Sequence, residues 1–381
     1  MALNARWAQA RNILVVRLDS MGDVLMTSPA LTAIRHTAPD ARITLLTSAS
    51  GAEAGRRLSV VDDVLTYVAP WMKPAPGQDA APPDLAFIAR LANRQFDAAI
   101  IFTVCTQSAL PAALLCQLAG IPLRLAQTRE NPYGLLTDWL PDVDTHIATA
   151  RHEVQRQLDL VGHVGYMTAD TRLQLDYGAS EVASMRRRLT AAGGDATQPY
   201  IVIHPGATAA SRRYPAAQYA AAAQRLERST GWRIVLTGGT DEAALIEQAC
   251  DGIDQPVRLD GQLDLGELAA LIAGAQVLVC NNTGPAHVAA AVGTPVVVLY
   301  ALTNPQHTPW QVPMRILSHD VGCRYCLKSQ CPQRHHDCLV QITPTAVVEA
   351  VTELVSSRLN APTREACTPF SPRDEDHHAH P

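Results

Sequence analysis

Several things are scarce in this 381-residue chain, and each scarcity closes off a class of function. Basic residues are no more numerous than acidic ones, 31 against 36, for a formal net charge of −5. A protein whose main partner is nucleic acid would want a basic face, so that partner is not expected. No apolar run reaches the ~18–20 residues that a membrane span requires. No charged segment followed by an apolar one opens the chain, so no signal peptide is expected and the location read from this is cytoplasmic. The first strand-to-helix turn, Asp19-Ser-Met-Gly-Asp23, has one glycine. It lacks the three-glycine Gly-x-Gly-x-x-Gly spacing that lets a dinucleotide pyrophosphate approach, which counts against a nicotinamide-dependent oxidoreductase.

What is present is a long alternation of short apolar strands and helix-spaced segments. Apolar residues make up 47% of the chain, enough for a core in each of two domains. Strands are predicted at 12–18, 43–47, 64–68, 98–103 and 123–126. Helices are predicted at 24–36, 51–58, 82–92 and 108–119. The stretch 71–83, rich in Pro, Ala and Gly, reads as a surface loop. The pattern breaks into a loop-rich segment at 127–149 and returns as helices at 151–164 and 180–192. It restarts with strands at 200–204, 232–237, 257–259, 276–280 and 295–300. The helices between them fall at 215–228, 241–250, 265–273 and 285–292, and a last one at 346–354. Such alternation predicts an α/β chain of two doubly wound parallel sheets. The boundary falls near 170–180, giving an N-terminal domain at 1–175 and a C-terminal one at 176–358. The polar, His-rich tail at 359–381 reads as disordered.

In doubly wound sheets, ligands sit beyond the carboxyl ends of the strands. Four sequence features fall there. Arg17-Leu-Asp-Ser-Met-Gly-Asp23 places Asp23 at a helix start, where it is either an N-terminal capping residue or a general base facing a cleft. Asp19 is a second carboxylate candidate and Arg17 a neighbouring cation. His204-Pro-Gly-Ala-Thr-Ala-Ala-Ser-Arg-Arg-Tyr-Pro215 carries Thr208, Arg212 and Arg213 on a loop, and guanidinium forks match diphosphate oxygens. Thr237-Gly-Gly-Thr-Asp-Glu242 pairs a flexible turn with a carboxylate, Glu242, suited to ribose hydroxyls. Asn281-Asn-Thr-Gly-Pro-Ala-His287 ends a strand and opens a helix. The unpaired N–H groups of that helix start, with Asn281, Asn282, Thr283 and His287 beside them, suit a phosphate. A fifth feature, Cys323-x2-Cys326-x4-Cys331-x6-Cys338, crowds four of nine cysteines into sixteen positions. It reads as a structural clip for zinc or iron, or as free thiols.

Taken in order, these motifs resemble the family 9 glycosyltransferases, the heptosyltransferase family of bacterial lipopolysaccharide core synthesis, over most of residues 11–355. The carriers are Ile13-Leu-Val-Val-Arg-Leu-Asp-Ser-Met-Gly-Asp-Val24 with Pro29-Ala-Leu31, His204-Pro-Gly206 with Arg212-Arg-Tyr-Pro215, Gly238-Gly239 with Asp241-Glu242, and Asn282-Thr-Gly-Pro-Ala-His287. The resemblance implies a GT-B fold, two Rossmann-like domains facing across a cleft. It implies inverting transfer of heptose from ADP-heptose to a sugar hydroxyl of a glycan or glycolipid acceptor, with no cofactor in the chemistry. It implies Asp23 as base and Thr208, Arg212, Asn282, Thr283, Gly284 and His287 around the donor. Glu242 would lie near the nucleotide ribose and base. Acceptor contacts are expected from the N-terminal domain, with Arg17, Ser20 and Arg124 as candidates and Arg129 and His152 behind them. An enzyme of this kind would touch the inner membrane surface peripherally. The family often has Lys where Arg212 stands and Asp where Asn282 stands. Those departures leave open another nucleotide sugar, a protein acceptor, or a non-catalytic protein that has kept the nucleotide cleft.

Overall fold

The computed structural model describes residues 3–73, 85–144 and 151–359. Six strands form the first sheet: β1 (Asn12–Arg17), β2 (Arg42–Thr47), β3 (Asp63–Thr66), β4 (Ala98–Ile101), β5 (Leu123–Thr128) and β6 (Asp138–Pro141). Their order is β3-β2-β1-β4-β5-β6, and every pairing is parallel. The helices of this half are α1 (Met21–Thr37), α2 (Ala49–Gly55), α3 (Leu85–Asn93), α4 (Leu110–Leu118) and α5 (Glu153–His163), and α6 (Ala179–Ala191) follows as the first helix of the second half.

The second sheet repeats the plan with β7 (Tyr200–His204), β8 (Arg233–Leu236), β9 (Val257–Arg258), β10 (Val277–Asn281), β11 (Val296–Leu299) and β12 (Met314–Leu317). Its order, β12-β11-β10-β7-β8-β9, is the same dinucleotide-fold order read from the other edge, again all parallel. Helices α7 (Ala216–Thr230), α8 (Ala243–Ala249), α9 (Leu265–Gly274), α10 (Gly284–Val292), α11 (Asp337–Val340) and α12 (Pro344–Leu359) complete it.

Two edge strands, β6 and β12, are absent from the sequence-based expectation. An edge strand is covered on fewer sides, so it carries no continuous apolar run. β6 alternates half-buried and exposed residues and ends in Pro141, and β12 is half-buried throughout. Most of the 71–83 loop lies outside the described residues, as does almost all of the tail expected to be disordered.

Helix α1 is the hinge piece of the architecture. Residues Val24 to Ile34 are all buried. It packs on α2 and α5 in its own domain and on α10 of the other. One apolar core therefore runs without a break from Val24, Leu25 and Met26 to Ala286, Ala289 and Ala290. Pro29 sits inside this helix and removes the N–H that would reach the carbonyl of Leu25. The Ser28 hydroxyl fills that gap, donating to Leu25 O at 2.6 Å, and accepts from Gln174 N at 2.9 Å. No buried carbonyl is stranded, and the helix keeps its course.

Candidate active site

Both domains turn the carboxyl ends of their strands toward one cleft of about 460 Å³. Four strand ends supply its walls. Ser20, Gly22 and Asp23 come from the β1–α1 turn, Thr208 and Arg212 follow β7, Asn282 to His287 follow β10, and Tyr300, Asn304 and His307 follow β11. The starts of α1 and α10 approach so closely that a Cβ on Gly22 would stand 2.8 Å from Cδ2 of His287. Glycine at position 22 is what lets the two helix starts meet. The structure thus brings Asp23, Ser20, Thr208, Arg212, Asn282, Thr283, Gly284 and His287 together.

Asp23 is the third residue of α1. Its Oδ2 accepts from the backbone N–H of Ser20 at 3.1 Å and from the Ser20 hydroxyl at 2.6 Å. That makes it a capping residue and a cleft carboxylate at once, with an exposure of 14% for its side chain. Its Oδ1 lies 3.2 Å from the Arg17 guanidinium and 3.9 Å from Nδ1 of His307. Burial would raise its pKa. The charge of Arg17, then His307 and the Ser20 hydrogen bond, overcome that and hold it below the ordinary carboxylate value. Asp23 is therefore ionised at neutral pH.

Arg17 does not reach an acceptor, contrary to the sequence-based expectation. It is fully buried and lies 3.1 Å from Asp19, 3.2 Å from Asp23 and 3.0 Å from Glu153. Burial alone would weaken its hold on the proton, and the three carboxylates reverse that and raise its pKa. Asp19 moves the other way. Burial pushes it up to about 6 against the pull of Arg17, while Gln107 donates to its Oδ1 at 2.8 Å. Glu153 is also buried. Burial would raise its pKa, but Arg17 and His307 drive it well below the usual range.

Arg124 is likewise internal. Its guanidinium donates to the carbonyls of Ile121, Leu135 and Gly134, tying α4 and the 133–135 turn to β5. Arg129 reaches the carbonyls of Cys105 and Asp144 and pairs with Asp142 at 3.4 Å. His152 caps α5, accepting from Val154 N at 3.2 Å, and spans the domains to Thr308 O at 2.9 Å. Arg124 and His152 have all their ring or guanidinium nitrogens engaged within the protein, whereas Arg129 is bonded through one terminal nitrogen and is 43% exposed.

On the opposite wall, Asn281 and Asn282 divide the work. Asn281 is fully buried and turned inward. It accepts from Tyr214 N and the Tyr219 hydroxyl, and donates to Pro205 O at 2.7 Å and Gly206 O at 3.3 Å. It fastens the His204-Pro-Gly loop to the end of β10 rather than meeting a ligand. Asn282 Oδ1 and His287 Nδ1 are buried in the cleft without hydrogen-bond partners. Buried polar atoms are rarely left unmet, so both are open to ligand groups. Burial, then His307, lowers His287 to about 3, and the imidazole is neutral. The N–H of Thr283 is engaged with Asn281 O at 2.9 Å, and Pro285 has none to give. Gly284 N–H makes no backbone hydrogen bond among the described residues and carries the anion-binding capacity of this helix start.

Glu242 stands behind the cleft wall. Its carboxylate accepts from Gly239 N at 3.0 Å and lies over Gly206, where a Cβ would be 2.0 Å from Oε2. Gly206 is the space that carboxylate occupies.

The four cysteines gather in one segment, where burial, with Cys331, Cys323 and Cys326 adding to it, raises the Cys338 thiol above its ordinary pKa. Among the described residues no group of three or more His, Cys, Asp or Glu side chains is arranged to hold a metal. Cys323, Cys326, Cys331 and Cys338 are free, half-buried thiols. The segment is docked instead by its backbone. The Ser211 hydroxyl donates to Lys328 O at 2.6 Å, Ser211 N to Ser329 O at 3.1 Å, and Tyr325 N to Leu302 O at 2.5 Å. Four non-glycine residues there, Tyr325, Leu327, Arg334 and His336, have φ between 52° and 62°.

Cleft groups that went unnoticed in the sequence include His307, Tyr300, Asn304 and Lys73. The signal for the first three was available, because they come after a strand that ends at Leu299 and so lie where such sheets bind ligands. Glu153 carried no usable signal, being 136 residues from Arg17 and reading as a helix-start acid.

Comparison with known proteins agrees with this architecture. Lipopolysaccharide heptosyltransferase 3 of Escherichia coli is 25% identical over 296 residues, covering 76% of this chain and 83% of that protein. The crystal structure of the glycosyl transferase family 9 protein from Veillonella parvula superposes with a TM-score of 0.76 at 21% identity, covering 94% of this chain and all of that one. The structure described as E. coli ADP-heptose lps heptosyltransferase II gives 0.71 at 23%, covering 91% and 99%. At these identities the two structures establish the GT-B fold. The sequence model of glycosyltransferase family 9 (heptosyltransferase) matches residues 85–336, two-thirds of the chain, and the chain belongs to that family.

Proposed function

We propose that this glycosyltransferase moves heptose, with inversion, from ADP-heptose to a hydroxyl of a lipopolysaccharide-core or related glycan acceptor. The observation that carries the reading is the placement of an ionised Asp23 across one cleft from Arg212 and the Gly284 N–H. The acceptor hydroxyl gives its proton to Asp23 Oδ1 as its oxygen forms the bond to the anomeric carbon. The bond from that carbon to the diphosphate breaks on the opposite face, and ADP leaves with the electron pair. A single displacement inverts the centre. Negative charge grows on the departing diphosphate, where Arg212, Thr208 and Gly284 N–H meet it. Asn282 and neutral His287 offer hydrogen bonds to the sugar, and Glu242, from behind the Gly206 wall, acts toward the ribose end of the nucleotide. Ser20 and Lys73 sit at the mouth on the acceptor side.

The cysteine segment supports the donor side through its grip on Ser211, next to Arg212. Among the described residues no helix is long and apolar enough to cross a membrane. Work at the inner face of the membrane on a glycolipid would therefore be by peripheral contact.

A panel of ADP-heptose, ADP-glucose and UDP-sugars, read by mass spectrometry of donor consumption and acceptor product, tests the reading. Preference for ADP-heptose and a product of inverted anomeric configuration is expected. Preference for a UDP-sugar overturns the donor assignment. Nucleotide binding without turnover on any donor marks a protein that has kept the cleft and lost the reaction.

A further inference from the structure

A second cavity, of about 300 Å³, opens on the other side of the Asp19–Asp23 turn, between the carboxyl ends of β1 and β4. That is the point where strand order reverses in the first sheet, the place such sheets use for ligands. Its inner wall is apolar, from Val16, Leu18, Ile101, Phe102 and Ala112, and Trp71 closes one side. Its polar edge is short: Asp19, Thr106, Gln107 and Ser108. One guanidinium separates it from the proposed base, since Arg17 lies 3.1 Å from Asp19 and 3.2 Å from Asp23.

No Lys or Arg is among the described residues that line this cavity. Lys73, two residues beyond Trp71, lines the donor cleft instead, and the guanidiniums behind the cavity wall hold the protein's own groups. Arg17 serves three carboxylates, Arg156 pairs with Asp142 at 3.2 Å and donates to Thr103 O, and Arg129 is bound to Asp142 and to backbone carbonyls. A carboxylate or phosphate seated on this lining would lose its hydration beside Asp19 with no cation among the described lining residues to replace it.

Resting on the glycosyltransferase reading, we propose that this cavity is an acceptor subsite for an uncharged sugar ring, with the ring's C–H face on Trp71 and its hydroxyls on Asp19, Gln107 and Ser108. A small apolar pocket with a few convergent polar groups is the usual form of a small-molecule site.

The test needs no donor, which separates its failure from failure of the heptosyl reading. Phenyl β-D-glucopyranoside and phenyl β-D-glucuronide share a ring and differ in one carboxylate. Their binding to the full chain is measured by saturation-transfer NMR and tryptophan fluorescence at neutral pH. The glucoside is expected to bind at least about tenfold more tightly than the glucuronide. Ala112→Leu, which fills the cavity, and Trp71→Ala, which removes its half-buried wall, are each expected to weaken glucoside binding about tenfold. An ADP-induced thermal shift reports that each variant is folded. Equal or tighter glucuronide binding overturns the proposal, as does glucoside binding unchanged in both folded variants. Binding of 1-octanol, seen in the same saturation-transfer spectra and lost in Ala112→Leu, with no glucoside binding also overturns it, by making the cavity a site for alkyl chains.

Discussion

Replacing Asp23 by Asn separates the chemical from the structural role of that residue. Asn keeps the volume and one acceptor oxygen at the third position of α1, so the Ser20 N–H retains a partner in place of the 3.1 Å bond to Oδ2. Arg17 keeps Asp19 at 3.1 Å and Glu153 at 3.0 Å and is not left as an unpaired buried charge. The structural cost is therefore one charge-assisted contact and a weakened cap, about 1–2 kcal/mol, or a few degrees in Tm. The chemical cost is larger. Loss of a positioned general base lowers turnover by about 10²–10⁴, equivalent to about 3–5 kcal/mol on the barrier. ADP is held from the opposite wall, and removing an anion near its diphosphate can only help, so its Kd is expected to stay the same or tighten a few fold. Single-turnover ADP release gives the rate, titration calorimetry gives the Kd, and a thermal melt gives the structural cost. Wild-type turnover in Asp23→Asn would remove this residue from the proton transfer. A weakening of ADP binding beyond about tenfold with Tm unchanged would make it a donor ligand instead.

The pKa of Asp19, about 6 when folded and about 3.9 when unfolded, means that the native chain binds more protons between those values. Stability should fall by up to about 3 kcal/mol as pH rises from about 4 to about 6. Asp19→Asn should cancel that slope in chemical denaturation, and identical pH curves for the two proteins would contradict it. Gly22→Ala places a methyl against the His287 ring at 2.8 Å, so it should wedge the two helix starts apart and lower kcat/KM more than it lowers Tm. Steady-state kinetics beside a melt decides this. Asn281→Ala strips the His204-Pro-Gly loop and two buried tyrosines of their shared partner, a loss of about 3 kcal/mol or more by urea denaturation. Ser211→Ala releases Lys328 O and should weaken ADP binding by a few fold in calorimetry, because the Arg212 loop loses one of its two ties to the cysteine segment.

The repeated strand–helix order, the two-domain plan and the identity of the cleft walls were legible because each arises from local pattern. A run such as Val277 to Asn281 must be a buried strand, and the loop leaving a strand's carboxyl end must face the ligand side. The fate of individual polar side chains was not legible. Asn281 and Asn282 are adjacent and chemically identical, yet one is the last strand residue, paired with Leu299 of β11, and the other begins the loop. Only that one-residue difference sends the first into the core and the second to the cleft. Arg17 read as an anion ligand because its charge was visible and its partner was not. Glu153 comes from the far end of the domain, on α5, and its contact exists only because α5 packs against α1. The clustering of the four cysteines was legible from spacing alone, and their thiols lie close enough to act on one another, but spacing does not fix the backbone turns that orient them.

The buried cluster explains why two carboxylates four residues apart behave so differently. Asp19, Asp23 and Glu153 share a single central guanidinium, so all three cannot be equally well compensated. Glu153 has Arg17 with Arg156 and His307 beside it, and stays ionised. Asp23 has Arg17 and two hydrogen bonds from Ser20 and stays ionised despite its burial. Asp19 has only the flank of Arg17 and a neutral amide, and it is the member that takes a proton first. Environments that push neighbouring carboxyls apart in pKa are how a site assigns different jobs to like groups. Here they divide the turn into a firmly held anion facing the donor cleft and a more readily protonated carboxyl facing the apolar cavity. The former can accept a proton from an attacking hydroxyl, and the latter can accept hydrogen bonds from the hydroxyls of a ring that carries no charge of its own and, below about pH 6, donate one as well.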